Sequence, residues 1–321
     1  MNLAGPTSCE QHRAGWWASV RRASADIKLA HSVFALPFAI LGACLATPAL
    51  GGQPPPGAWR TFAYQLLVVV LCMVFARTWA MLVNRLADRG YDARNQRTAA
   101  RAIASGRLAL DRARLITGAA ALGFIACCAL FLLFNNAWPI ALCVPVLAWI
   151  ALYSYTKRFT ALCHVFLGGA LGVSPLAAAL AVNPGALAHT PVLYWIAGFV
   201  VLWVAGFDVL YAIQDLEFDR GEGLHSIPAR LGLPGALWAA RVLHAGALLV
   251  LAQAWRCEPR LGPLTGAGVA VVGVLLVVEH LIVAARGRAG IPLAFFTLNG
   301  LVSCVLGVAG CLDLAHPWAN P

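Results

Sequence analysis

At 321 residues, 61% of them hydrophobic and 11% charged, with a mean hydropathy of +0.77, the chain carries more apolar surface than a soluble core can hide. This excludes a soluble domain on one anchor. Crossing ~30 Å of hydrocarbon takes about 20 residues, so roughly eight to ten spans fit. The net charge of +10 does not point to nucleic acid, because the basic residues sit in short connectors between apolar runs and form no stripe.

Residues 1–26, within an expected cytoplasmic segment over 1–28, are polar and basic. They are too long for the charged leader of a secretory signal peptide, so the first apolar run reads as a retained helix after a cytoplasmic segment. Apolar runs follow near 29–47, 61–83, 113–134, 137–156, 162–182, 191–214, 233–254, 264–285 and 290–312. The expected fold is an all-α polytopic membrane protein. It has nine transmembrane helices around a central cavity, one domain over 29–313 and a short tail over 314–321. Ten cysteines lie mostly inside apolar runs, with no C-x-x-C pair, and read as small core residues. His31 and Glu279 read as packing residues.

Orientation follows from Lys and Arg on alternate sides. With the amino terminus inside, eighteen fall on the inner side and only Arg60, Arg256 and Arg260 on the outer, while Arg77 and Arg241 lie within spans. The chain is expected in a bacterial-type inner membrane, with its carboxyl terminus outside.

Thirteen carboxylates in the whole chain make each informative. Asn84, Asp88 and Asp92 are spaced by four where the second span meets the inner surface. Asp208, Asp215, Glu217 and Asp219 occupy the matching stretch of the sixth. Residues four apart share a helix face, so each Asp pair can aim its oxygens at one point, and the two points can face each other. Carboxylates at the edge of hydrocarbon need neutralising, since one at a span's centre costs ~2.5 to 3.5 kcal/mol. Hard oxygen ligands suit Mg²⁺, which keeps waters and binds through one or two carboxylates plus substrate phosphates. Asp88, Asp92, Asp215 and Asp219 are therefore candidate metal ligands for Mg²⁺ on a diphosphate.

Neighbouring residues fit that chemistry. Arg97 and Arg101 follow the first motif, and Tyr153 and Lys157 share a face at the inner end of the fourth span, supplying donors for anionic oxygens. Arg77 lies seven residues before Asn84 and Asp208 seven before Asp215, so both are expected to project into the cavity toward a second substrate.

These residues resemble the UbiA superfamily of intramembrane aromatic prenyltransferases. Its N-x-x-x-D-x-x-x-D motif reads Asn84-Arg85-Leu86-Ala87-Asp88-Arg89-Gly90-Tyr91-Asp92, followed by Arg97-Thr98, Arg101 and Ser105-Gly106. Its D-x-x-x-D motif reads Asp215-Leu216-Glu217-Phe218-Asp219, and Tyr153 to Thr160 resembles its tyrosine and lysine segment. The resemblance implies a ring of nine spans capped on the inner side, with Mg²⁺ held by the aspartates on a polyprenyl diphosphate whose tail lies in the cavity. Mg²⁺ and nearby cations stabilise charge on the departing diphosphate. The allylic cation left behind must meet an aromatic ring before water, which suits a roofed, apolar site. Asp208 is the candidate group to orient or deprotonate the phenolic hydroxyl.

The segments Ile27 to Phe38 and His225 to Arg230 resemble the 4-hydroxybenzoate polyprenyltransferase branch, which implies quinone biosynthesis. Prenylation of 1,4-dihydroxy-6-naphthoate for menaquinone stays open, since both acceptors are hydroxyaryl carboxylates that Arg77 can bind. A secondary transporter is the reading from a different class, because two acidic motifs four spans apart suggest an internal repeat. Its sites belong near the midplane, whereas these acids gather at one boundary. Tail length and oligomeric state are not legible in the sequence.

Overall fold

The computed structural model describes residues 34–50 and 54–316, together with Ser19 and residues 21–23. Lys28 and His31, and most of the expected cytoplasmic segment, lie outside the described residues.

Among the described residues the secondary structure is helical. The main helices are α1 (Leu36–Ala46), α2 (Ala58–Ala87), α3 (Arg89–Arg94), α4 (Leu110–Leu130), α5 (Trp138–Thr156), α6 (Cys163–Val182), α7 (Val192–Ala212), α8 (Leu216–Gly221), α9 (Ile227–Cys257), α10 (Pro263–Arg286) and α11 (Asn299–Ala315). Proline stands in the first two positions of α1, α5, α9 and α10, where its missing N–H has no intrahelical partner to lose. Ser226 caps α9, its hydroxyl accepting from the Ala229 N–H at 3.2 Å.

Among the described residues, seven stretches are long and apolar enough to cross a membrane. This differs from the expected count of nine in two places. The run at 29–47 supplies a described helix of only 11 residues, α1, and the last two runs fall in one stretch, Pro263–Ala315, which contains α10 and α11. Large apolar side chains on the outside of these helices, such as Leu122 at 69% and Leu249 at 73% exposure, would be costly in water and suit a lipid surface.

The long helices close a ring. Each of α1, α2, α4, α5, α6, α7, α9, α10 and α11 packs on the next, and α11 returns to α1, while α1 also crosses to α6. α7 is the most enclosed, sandwiched between α6 and α9. Glycine makes the first contact possible: a Cβ on Gly168 of α6 would stand 2.3 Å from the Val201 carbonyl oxygen of α7. Fully buried Trp203 of α7 stacks on Phe199, with centroids 5.8 Å apart.

Trp203 also anchors a buried polar network. Its indole N–H donates to Asn299 Oδ1 at 2.7 Å, and Asn299 Nδ2 donates to Glu279 Oε1 at 2.9 Å. Glu279 is thus a packing residue for one oxygen only; Oε2 has no hydrogen bond and lies 3.9 Å from His244 Nδ1.

A cavity of about 330 Å³ lies between α1, α2, α4, α5 and α6. The sequence places it at the centre of all the helices. The structure instead puts it on one side of the ring, because α7 with its aromatic residues fills the other.

Candidate active site

Both acidic motifs sit where a long helix breaks. α2 ends at Ala87, and Asp88 takes φ −94°, ψ 8° before α3 resumes. Asp215 takes φ −104°, ψ 8° between the short 3₁₀ turn after α7 and α8. The spacing of four survives the first break, since the Asp88 N–H donates to the Asn84 carbonyl at 2.9 Å and the Asp92 N–H to the Asp88 carbonyl at 2.7 Å. Three of the four aspartates are buried, Asp92 at 7%, Asp215 at 9% and Asp219 at 1% exposure.

The connector after the first motif reaches the second. Asn95 Nδ2 donates to Asp215 Oδ1 at 2.9 Å, and Arg97 donates through Nε to the same oxygen at 2.9 Å and through Nη2 to Oδ2. The connector after the first motif therefore meets the second motif at one end of the bundle.

Each of the four aspartates has a cationic partner. Asp92 Oδ1 accepts from Arg101 Nη1 at 2.7 Å, Asp219 Oδ2 lies 2.8 Å from Lys157 Nζ, Asp215 takes Arg97, and Asp88 Oδ1 lies 3.4 Å from Arg158 Nη2. Asn84 donates to Asp88 Oδ2 at 3.0 Å and is itself oriented by Arg85, whose Nη1 donates to Asn84 Oδ1 at 2.8 Å. Arg97, Arg101 and Lys157, expected to be free for phosphate oxygens, are here paired to motif carboxylates. Opposite charges in a partly dry site attract strongly.

Burial pushes the Asp88 carboxyl above its ordinary range and the charge of Asp92 adds to this, with Arg158 and Lys157 opposing. Burial disfavours the Lys157 ammonium, but Asp219 outweighs it and holds the amine above its ordinary value.

Four pairs leave two buried acceptors over. Asp92 Oδ2 and Asp219 Oδ1 are buried without a hydrogen-bond partner. Such atoms are costly unless a ligand takes them, and hard, unpartnered carboxylate oxygens fit a divalent cation. Among the described residues no group of three or more His, Cys, Asp or Glu side chains is arranged to hold a metal by itself.

Arg77 and Tyr153 line the cavity at its polar end. Tyr153 lies within electrostatic reach of Asp208, Arg85, Arg77 and Asp88, so this end of the cavity is near the first acidic motif. Arg77 Nε is buried with no hydrogen-bond partner. Asp208, expected to project into the cavity, is not among its lining residues. α7 turns it toward α6, where its Oδ2 lies 2.6 Å from His164 Nδ1. The sequence reading misses His164, Asn95 and Tyr211, whose hydroxyl accepts from Arg97 Nη1 at 2.9 Å. Asn95 sits three residues past Asp92 in a polar connector, a usable signal; His164 lies in an apolar run with none.

Fold and site together define an integral membrane protein, a helical ring with paired aspartate motifs at one end of an apolar cavity. The profile of the UbiA prenyltransferase family matches residues 35–301, and the chain belongs to that family. It is 32% identical over 169 residues to a 4-hydroxybenzoate octaprenyltransferase of Acidovorax ebreus, covering 52% of this chain and 55% of the relative. The chain thus spans little more than half the length of that relative. It is 31% identical over 260 residues to a 4-hydroxybenzoate octaprenyltransferase of Salmonella paratyphi B, covering 77% and 83% of the two chains. Among solved structures, a UbiA homolog from Aeropyrum pernix K1 in its apo form superposes with a TM-score of 0.76 at 29% identity, covering 88% of this chain and 98% of that one. A UbiA homolog from Archaeoglobus fulgidus bound to GPP and Mg²⁺ shares the fold, with a TM-score of 0.63 at 18% identity over 92% and 100% of the chains.

Proposed function

We propose that the protein transfers a polyprenyl group from a polyprenyl diphosphate to 4-hydroxybenzoate, in a Mg²⁺-dependent reaction at the cytoplasmic side of the membrane. The observation that carries this reading is the link that Asn95 and Arg97, just past the first acidic motif, make to Asp215 of the second, with Asp92 Oδ2 and Asp219 Oδ1 buried and unpartnered. The names of the relatives support the acceptor, and the A. fulgidus homolog's GPP and Mg²⁺ accord with the donor.

Asp88, Asp92, Asp215 and Asp219 would hold the ion, which when bound supplies Lewis-acid stabilisation of charge on the leaving diphosphate. Arg97, Arg101 and Lys157 bind the diphosphate oxygens by exchanging their aspartate partners for phosphate. The apolar walls, Val146, Ile150, Leu167 and Leu171 among them, take the prenyl chain and exclude water from the allylic cation. Arg77 receives the acceptor carboxylate as a bidentate pair, orienting the ring carbon ortho to the hydroxyl toward the allylic carbon. Asp208 accepts the phenolic proton as that bond forms; the ring proton then passes to the departed diphosphate, restoring aromaticity, and Asp208 returns its proton to the phenolic oxygen.

The test offers one polyprenyl diphosphate with either 4-hydroxybenzoate or 1,4-dihydroxy-6-naphthoate to membranes containing the protein, with and without Mg²⁺. Prenyl hydroxybenzoate is expected only with Mg²⁺. Prenylation of the naphthoate alone overturns the acceptor assignment, and turnover in excess chelator overturns the metal assignment.

A further inference from the structure

His164 lies on α6, 1% exposed and 44 positions from Asp208. Its Nδ1 is 2.6 Å from Asp208 Oδ2, while its Nε2 accepts from the backbone N–H of Ile227 at 3.3 Å. Two N–H donors cannot face each other, so Nε2 presents its lone pair and the ring proton sits on Nδ1, directed at the carboxylate. Partners at both ends hold the neutral ring in one tautomer.

Ile227 begins α9 beside Ser226, whose hydroxyl donates to Asp219 Oδ2 at 3.0 Å. One imidazole thereby joins Asp208 to the helix start that orients an aspartate of the second acidic motif. Side-chain exposure divides unequally, 2% for His164 and 22% for Asp208, so the ring is walled in and the carboxylate keeps an open side. Its second oxygen, Oδ1, has no protein hydrogen bond among the described residues and is not sealed in.

We infer that His164 is a positioning residue for the transfer: it fixes Asp208 so that Oδ1 faces the acceptor hydroxyl. This rests on the reading above that Asp208 serves that hydroxyl. In the step, the phenolic O–H bond breaks, the proton passes to Asp208 Oδ1, and the phenolate oxygen keeps the electron pair. His164 retains its own proton throughout and touches no substrate.

Two near-isosteric substitutions separate the ends of the ring. His164→Asn places an amide N–H near the Nδ1 position, keeping the donor to Asp208 and losing the acceptor for Ile227. His164→Gln places its amide near Nε2 and loses the donor to Asp208. With the purified full-length protein, Mg²⁺, a polyprenyl diphosphate and 4-hydroxybenzoate, His164→Gln is expected to lower kcat about tenfold or more, with KM for the diphosphate unchanged. His164→Asn is expected to stay within about threefold of the unsubstituted protein. In an Asp208→Asn background, His164→Gln is expected to cost nothing further, since coupled residues are non-additive. An undiminished kcat in His164→Gln, a His164→Asn variant as damaged as His164→Gln, or a full second loss on Asp208→Asn overturns the inference.

Nitrogen NMR of ¹⁵N-histidine-labelled protein gives a readout that needs no turnover. A protonated Nδ1 and bare Nε2 are expected for His164, with the Nδ1 resonance moving in Asp208→Asn; the opposite tautomer overturns the pairing. If the unsubstituted protein prenylates no hydroxyaryl carboxylate, the functional reading falls, and the nitrogen spectrum still decides the His164–Asp208 pair.

Discussion

Arg97 forks onto both oxygens of Asp215, 118 positions later in the chain, and gives its remaining nitrogen to the Tyr211 hydroxyl at 2.9 Å. One guanidinium so fastens the connector after α2 to the acidic turn after α7. A lysine cannot reproduce this, because an ammonium is a point charge without a planar fork. Arg97→Lys is expected to lower kcat/KM for the polyprenyl diphosphate about tenfold and to weaken Mg²⁺ dependence, with Arg97→Ala worse. Steady-state kinetics across a Mg²⁺ titration checks this. Equal kinetics for Arg97→Lys and the unsubstituted protein would remove the fork from the account.

Arg77 is an intramembrane arginine on the cavity wall with a buried, unpartnered Nε. If it receives the acceptor's carboxylate, Arg77→Ala should raise KM for 4-hydroxybenzoate about tenfold or more and leave KM for the diphosphate near its original value. Phenol, which lacks the carboxylate, should then be used equally well by both proteins. A rise confined to the diphosphate KM would assign Arg77 to the other substrate.

Gly168 lets α6 approach α7 so closely that an added Cβ meets the Val201 carbonyl oxygen at 2.3 Å, and backbone cannot step aside cheaply. Gly168→Ala is expected to destabilise by about 1–3 kcal/mol through overpacking. Gly118→Ala on α4, whose Cβ meets nothing within 4 Å, is the control and should lose nothing. Thermal unfolding in detergent compares them. Matching midpoints would show that the helices have room to separate.

Arg94 clasps Glu222 with Nε and Nη2 at 2.8 and 2.5 Å, joining the ends of α3 and α8. Its hydrogen bonds hold the Glu222 carboxyl below the ordinary range, and the desolvation opposing them is smaller. A carboxylate whose folded-state pKa is depressed contributes stability above its unfolded value, about 4.3, and loses it as pH falls through the lower folded value. The midpoint difference between the unsubstituted protein and Glu222→Gln should therefore be small and positive at neutral pH, begin to shrink below about pH 4.3, and vanish only once the pH is under the depressed folded-state value. Midpoints measured from pH 7 downward decide it, and a gap that persists in acid would rule the clasp out as its source.

Much of this molecule is legible in the order of its residues. Apolar runs longer than a soluble helix needs commit the chain to a bilayer, since backbone polar groups there must be satisfied within each helix. The scarcity of acids makes Asn84, Asp88, Asp92, Asp215 and Asp219 conspicuous, and spacing by four aligns them because helical period is a local property. Tertiary packing decided what local periodicity cannot carry. α7, filled with Trp203 and Phe199, displaced the cavity to one side of the ring, since aromatic volume on one helix leaves no room there. Close approach of α6 and α7 over Gly168 turned Asp208 toward His164, a partnership between residues on different helices that no spacing rule encodes. The pairing of each motif aspartate with its own cation likewise depends on which connectors fold over the same end, because Coulomb attraction selects partners by distance in space and not along the chain.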